Sequence, residues 1–308
     1  MFTLLAASAV IFTVLDVLPG NAAEVMLGES ATPESLAALS AKLGLDRPAL
    51  VRYGDWMKGL ATGELGTSNT YATPIGELVA ERLLVTLPLA LMAMTLTTAL
   101  AFVLGLFAAS RHGKAGDVGI MAVSQFGIAI PGFWFAILLI LVFSVKLRWF
   151  SAGGFPGWSA EDGGGAGPAL RALVLPAVAI AVVQAAILTR IVRSAVLEVL
   201  REDFVRTARA KGQSPRGVLW GHVLRNAMVP VLTVMGLQFA SLLAGTVVIE
   251  QVFSLPGLGR LVFQAIGNRD LLVVRNVVML LAAAVVVINF AVDVLYVVID
   301  PRLRARAA

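Results

Sequence analysis

Few residues of this chain could carry catalytic, metal-binding or redox chemistry. Its 308 residues include two histidines, His112 and His222, and no cysteine. Thiolate metal sites and disulfides are therefore excluded, and a histidine-based catalytic centre is not supported. The sequence contains no Gly-x-x-x-x-Gly-Lys-Ser/Thr phosphate loop, so the chain cannot supply ATP chemistry of that kind. We expect neither an enzyme nor a resident cofactor or metal.

The remaining polar candidates lie in or beside apolar runs, where they could line a path for a solute. A polar or ionisable group inside a membrane span is a functional candidate, but a hydrogen bond between helices is the usual role of an amide there. That second role is favoured for Gln125, and for Glu250 a water-solvated carboxylate at the end of a span is an equal alternative. The candidates for the path are Gln125, Pro131, Gln184, Gln238, Glu250 and Asp293.

Asp293 belongs to a polar stripe along the last apolar run. Asn289, Asp293, Tyr296 and Asp300 follow one another at helical spacing. An intramembrane carboxylate on such a stripe could serve transport. We favour a structural bond that holds this helix to a neighbour.

The most distinctive stretch is basic and polar and runs from Glu202 to Pro230, between two apolar runs. Gly212 can end a first helix, Ser214 is a good N-cap, and Pro215 suits the first position of a second helix. The second helix is predicted over about residues 215–224. It carries Val218, Leu219, His222 and Val223 at helical spacing, with Arg216 and Arg225 at its edges. Such a helix docks either on lipid headgroups or in the groove of a partner protein.

Composition places these segments in a polytopic helical membrane protein. The chain is 58% hydrophobic with a mean hydropathy of +0.88, and several apolar runs exceed eighteen residues. The first run resembles a signal peptide but lacks a basic start. The net charge of +5 reflects basic residues beside the spans rather than a nucleic-acid site. Residues 111–116, 190–225 and the tail hold 13 of the 24 basic residues, which favours six spans with both termini inside.

We divide the chain into a first span at 1–18, an external helical loop domain at 19–82 and a five-helix core at 83–308. Thr32 and Pro33 begin one amphipathic helix that stops at Gly44. A second helix follows Asp46 and carries Leu50, Tyr53, Met57 and Leu60. The third span, from Asp117 to about Val145, is too long for a straight crossing, and Pro131-Gly132 permits a kink there.

Two motifs carry a resemblance to a known family. The runs RTARAKG and SPRGVLWGHVLRNAMVPVLT resemble the cytoplasmic coupling loop of permease subunits of ATP-driven (ABC) importers, in the dipeptide/oligopeptide branch and of the B-type subunit. The general Glu-Ala-Ala pattern reads Arg206, Thr207 and Ala208 here, with Gly212 in register, a departure that matches the peptide branch. The second motif is similar at Glu250, Phe253, Ser254, Pro256, Gly257, Leu258 and Gly259, although Leu271 and Leu272 replace a usual Tyr-Pro.

The resemblance implies a type I ABC importer permease fold, all-α with six spans, in a bacterial or archaeal cytoplasmic membrane. It implies a second homologous permease, two ATPases that bind ATP and Mg, and an external solute-binding protein, which the loop domain could contact. Residues 195–228 would form the coupling loop. Its expected contact residues are Asp203, Arg206, Thr207, Ala208, Ala210, Lys211, Gly212, Ser214, Pro215, Val218, Leu219 and His222. Related permeases usually begin earlier, with a basic stretch, so a truncated or mis-assigned start is expected.

The resemblance leaves the cargo open. Related subunits serve dipeptides, longer peptides, glutathione, nickel chelates and some sugars, and peptides are the expected class. A secondary carrier driven by an ion gradient is a less favoured alternative, because no internal repeat is visible and only Asp293 lies clearly inside a span. A membrane-anchored assembly or signalling protein that binds a partner through the same loop is a third.

Overall fold

The computed structural model describes residues 2–17, 27–28, 31–42, 44–161 and 163–299. The regular elements in the described part of the chain are all helices. They are α1 (Phe2–Val17), α2 (Pro33–Lys42), α3 (Ala49–Thr62), α4 (Ile75–Ser110), α5 (Ala115–Ala129), α6 (Gly132–Leu139, continued by a π-helix Ile140–Lys146), α7 (Ala166–Val199), α8 (Asp203–Ala210), α9 (Pro215–Val218, continued by a π-helix Leu219–Val223), α10 (Leu224–Val252), α11 (Leu258–Gly267) and α12 (Leu271–Ile299).

Four helical runs in the described ranges are long and apolar enough to cross a membrane, within 75–110, 166–199, 215–242 and 271–292. The pair α5 and α6 makes a fifth span if it is one bent crossing. Helix α1 is apolar but has 16 residues, fewer than the roughly 20 that a perpendicular crossing needs. Leu18, the expected last residue of the first span, lies outside the described residues.

The kink predicted at Pro131 is a break of the helix. Ile130 and Pro131 both have extended backbone, and the two halves meet at 99°. Proline disfavours the helical conformation of the residue before it and cannot donate a backbone hydrogen bond, which explains why the helix stops at Ala129.

One compact unit comprises residues 1–86 and 256–286. Here α2 and α3 have the expected bounds: Thr32 Oγ1 accepts a hydrogen bond from the Ser35 amide (3.2 Å), and Gly44 has a left-handed φ of +66°. A small buried cluster joins Phe12, Trp56 and Met279. A larger one, which includes Ile75, Leu261 and Val277, joins the start of α4 to α11 and α12.

The other compact unit comprises residues 87–255 and 287–308. Its core lies around α7, which packs against α5, α6 and α10. Small residues allow close approach at two points. A side chain on Gly105 would meet Val192 of α7 at 2.8 Å, and one on Gly236 would overlap Val292 of α12. Gly236 therefore lets α10 approach α12 closely, as small residues do between membrane helices.

Candidate functional site

The segment 202–230 begins with a short helix that ends at a glycine, as the sequence predicts. In α8 the Thr207 hydroxyl donates to the Asp203 carbonyl (3.0 Å), and an exposed ion pair joins Arg206 to Asp203 (3.2 Å). The chain reverses at Gly212, whose φ is +82°, in the left-handed region that glycine adopts without strain. The turn therefore depends on this residue type.

The second helix begins at the predicted cap. The Ser214 hydroxyl accepts a hydrogen bond from the Gly217 amide (3.1 Å), and Pro215 occupies the first helical position. The predicted end near Leu224 is wrong, because the helical run passes through a π-helix at 219–223 directly into α10. Neither Gly221 nor the polar residues up to Asn226 interrupt it. This segment and the following span form one continuous helical run.

The inner face of the segment is buried in the protein's own core. Val205, Ala208, Val218 and Val223 pack with Val192 and Val196 of α7 and Ala101 of α4. Val218 and Ala208, which the sequence assigns to the contact set, therefore position the segment and do not present a surface to another molecule. Leu219 and His222 are partly buried.

The outer face of the segment is exposed. Of the residues assigned to the contact set, the exposed ones are Asp203, Arg206, Thr207, Ala210, Lys211, Gly212, Ser214 and Pro215. Two aromatic side chains that the sequence assignment missed share this exposure: Phe204 is 41% exposed and Trp220 63%. Large aromatic side chains on a polar segment are a signal for a protein contact, since such residues dominate binding energy at interfaces.

An ion pair fixes the turn between α4 and α5 to α7. Arg193 donates to both carboxylate oxygens of Asp117, from Nε to Oδ1 (2.5 Å) and from Nη2 to Oδ2 (2.7 Å). The Gly113 amide also donates to Oδ2 (2.9 Å), and the His112 ring lies 3.3 Å from it. Asp117 is 2% exposed. This bidentate pair was not assigned from the sequence, because its members are 76 positions apart.

A cleft of about 570 Å³ lies beside this ion pair and leads to the start of α8. It is lined by His112, Arg193, Ser194, Leu197, Glu198, Arg201, Glu202, Asp203 and Arg206. Its wall joins the turn between α4 and α5 to the end of α7. A movement of α7 would therefore be transmitted both to the ion pair and to the exposed segment that follows.

The structure brings together two of the six candidates for a solute path. The Gln238 side chain donates from Nε2 to the backbone oxygen (3.1 Å) and to Oε1 (3.2 Å) of Gln184, so these amides join α10 to α7. The Gln125 side chain is exposed and makes no hydrogen bond with the residues that the structure describes, so an interhelical bond is not found for it. Pro131 is the break described above, and the side chain of Asp293 lies outside the described residues.

Glu250 is fully buried, so a water-solvated carboxylate, one of the two alternatives for it, is wrong. Its carbonyl accepts a hydrogen bond from the Leu255 amide (2.8 Å), which closes a turn containing Ser254 at a φ of +51°. Phe253 is buried there, and its carbonyl accepts from the Gly154 amide (2.9 Å). These residues of the second sequence motif therefore build a tight turn.

Comparison with known proteins identifies two matching families. Residues 101–305 match the binding-protein-dependent transport system inner membrane component, and residues 1–101 match the N-terminal region of such membrane components. A protein of Brucella abortus, provisionally named a peptide transport system permease protein, is 43% identical over 293 residues, covering 95% of this chain and 92% of that protein.

A second relative agrees with this match, and a solved structure shares the fold. The di/tripeptide transport system permease protein DppB of Pseudomonas aeruginosa is 40% identical over 310 residues, covering 95% of this chain and 92% of its own length. Among solved structures, a chain of the inward-facing methionine ABC transporter MetNI superposes with a TM-score of 0.59 at 19% identity, covering 74% of this chain and 98% of that one. The shared architecture is the all-α type I ABC importer permease fold.

Proposed function

This chain belongs to the family of binding-protein-dependent transport system inner membrane components, and we propose that it is the permease subunit of an ATP-driven importer of di- and oligopeptides. The membership confirms the family resemblance of its two sequence motifs. The peptide class comes from the names of its relatives, which match it over nearly their whole length.

The observation that carries the coupling role is the two-sided packing of residues 203–225. Val205, Ala208, Val218 and Val223 fix the segment to the core around α7, while Phe204 and Trp220 project from it. A force applied to the outer face is therefore transmitted to the membrane helices through packed side chains. An ATPase docked on this face would move α7 and α10 together.

The mechanism is alternating access. Two homologous permeases enclose the solute path, and two ATPases, which hold ATP and Mg, close on nucleotide binding. The segment 202–230 converts that closure into movement of the spans, which requires a rigid link between two discrete arrangements. An external solute-binding protein delivers the peptide. ATP hydrolysis belongs to the partner subunits, and the permease contributes binding and movement.

The topology follows from the same assignment. The chain is a multi-pass protein of the inner membrane. With both termini in the cytoplasm, the turn at 111–114 and the segment 203–225 face the cytoplasm, and residues 19–82 face outward. The excess of Arg and Lys at 111–116 and 190–225 supports this orientation.

The deciding experiment is to co-express the full chain with its neighbouring permease, ATPases and binding protein, and to measure ATP hydrolysis in lipid vesicles. Peptides, glutathione and nickel chelates are compared as cargo. We expect the ATPase pair to co-purify and peptides to stimulate hydrolysis. Stimulation by a non-peptide alone would show that the cargo is not a peptide and would leave the importer assignment in place. Failure of any ATPase to co-purify would overturn the importer assignment.

A further inference from the structure

A cavity of about 320 Å³ lies within the unit formed by residues 1–86 and 256–286. Its apolar wall includes Phe12, Leu15, Trp56, Leu271 and Leu272. The volume is at the lower end of the range for small-molecule sites, and the lining is mainly apolar with a few polar groups, as such sites usually are. Its wall includes Leu271 and Leu272, the two positions where the second motif departs from the family pattern.

Three arginines and three carboxylates also line the cavity, and four of these six side chains form ion pairs. Arg52 contacts Asp16 at 2.6 Å, and Arg47 contacts Asp55 at 2.8 Å. Arg275 and Glu64 remain. Neither has an ion-pair partner among the residues that the structure describes.

Arg275 packs against aromatic rings, and Asp16, the acid that attracts it, is already paired with Arg52. Its guanidinium carbon lies 4.8 Å from the centre of the Trp56 ring and 5.8 Å from that of Phe12. The rings attract the flat face of the guanidinium group, and the N–H groups at its edges remain able to donate hydrogen bonds. The Nε atom is buried with no acceptor in the described part of the chain. A partly buried guanidinium without an acid has a strong preference for an oxyanion, which it can bind through two parallel hydrogen bonds.

Glu64 supplies the opposite charge at the same cavity. It is exposed, at the end of the turn that follows α3, and its carboxylate is open to a ligand. One unpaired cation and one unpaired carboxylate around an apolar cavity match a small zwitterion with an apolar side chain. We propose that this cavity binds the cargo as a short zwitterionic peptide, whose carboxylate contacts Arg275 and whose ammonium contacts Glu64. The peptide class rests on the proposed function.

The test is equilibrium binding of alanyl-leucine to the full chain in phosphatidylcholine nanodiscs, measured by calorimetry. We expect the wild-type chain to bind the C-terminal amide of alanyl-leucine about tenfold or more weakly than the free acid. The variant Arg275→Gln should bind the free acid about tenfold or more weakly than wild type does. Glu64→Gln should weaken binding of alanyl-leucine but not of its N-acetyl form. If Arg275→Gln does not fold, the site is still tested by binding of the amide and the N-acetyl form to the wild-type chain and by the variant Glu64→Gln.

Equal affinity for the acid and the amide, or no effect of either variant, would overturn the site. So would Arg275-dependent binding of phosphatidylglycerol in place of the dipeptide, since it would assign the oxyanion to a lipid headgroup. The proposed function is judged separately, by peptide-stimulated ATP hydrolysis of the complex. If peptide stimulates the complex but binding to the chain does not depend on Arg275, the proposed function stands and the proposed site is wrong.

Discussion

The indole of Trp56 donates a hydrogen bond of 2.9 Å to the side-chain oxygen of Asn276, which lies 220 positions further along the chain. Asn276 is fully buried and uses its amide group for two more bonds, to the carbonyls of Leu65 and Leu272, both at 2.9 Å. One side chain thereby satisfies groups from α3, from the turn after it and from α12. The buried amide fixes how these elements meet within their unit.

Asn276→Leu should destabilise the protein by about 2–4 kcal/mol, because it leaves the Trp56 N–H and the Leu65 carbonyl without their partner. The measurement is thermal unfolding of the purified chain in detergent. Asn226→Leu is the matched control: Asn226 is exposed and bonds only the carbonyl one turn before it. We expect that variant to stay within about 0.5 kcal/mol of wild type. Equal melting temperatures for the two variants would contradict the role of Asn276.

The ion pair of Asp117 and Arg193 should show a coupling of about 1–3 kcal/mol in a double-mutant cycle with Asp117→Asn and Arg193→Gln. Each single change leaves the other charge partly buried and without its partner, since the side chains are only 4% and 19% exposed. The double variant should therefore recover part of the loss. The exposed pair of Asp203 and Arg206 is the control, for which no measurable coupling is expected. Additive losses at Asp117 and Arg193 would show that the pair is not a unit.

Local features of the fold could be predicted from the sequence, because they depend on a few neighbouring residues. The cap at Ser214, the reversal at Gly212 and the break at Pro131 are of this kind. Long-range pairings were not predicted, since nothing at Asp117 specifies an arginine 76 positions away. The helical spacing of Val218 and Val223 was recognised, but a pattern does not say whether an apolar face meets a partner or the chain's own core.

Substitutions at Gly212 should impair the turn because of its backbone conformation and not because of steric overlap. A Cβ there would meet no atom within 4 Å, so the space around it is open, but the φ of +82° strains an L-residue by roughly 1–2 kcal/mol. Asparagine tolerates this conformation better than alanine. We expect peptide-stimulated ATP hydrolysis of the reconstituted complex to be highest in Gly212→Asn, lower in Gly212→Ala and lowest in Gly212→Glu. In Gly212→Glu, coupling should be abolished. Membrane insertion should be unchanged in all three variants. Wild-type coupling in Gly212→Glu would contradict the role of this turn in coupling.

Phe204 and Trp220 should be the main apolar contacts with the ATPases. Both are large and exposed on a segment whose inner face is fixed in the core, and neither belongs to that buried cluster, so truncation removes contact area and leaves the inner packing in place. Phe204→Ala and Trp220→Ala should each weaken binding of the purified ATPase pair by about 30-fold, which corresponds to about 2 kcal/mol at an interface hot spot. The assay is equilibrium binding to the full permease pair in nanodiscs, with thermal unfolding as a check on stability. Phe263→Ala is the matched control, because Phe263 is 57% exposed on α11, away from this segment in sequence. If all three variants bind the ATPases as tightly as wild type, the outer face of residues 203–225 is not the docking surface.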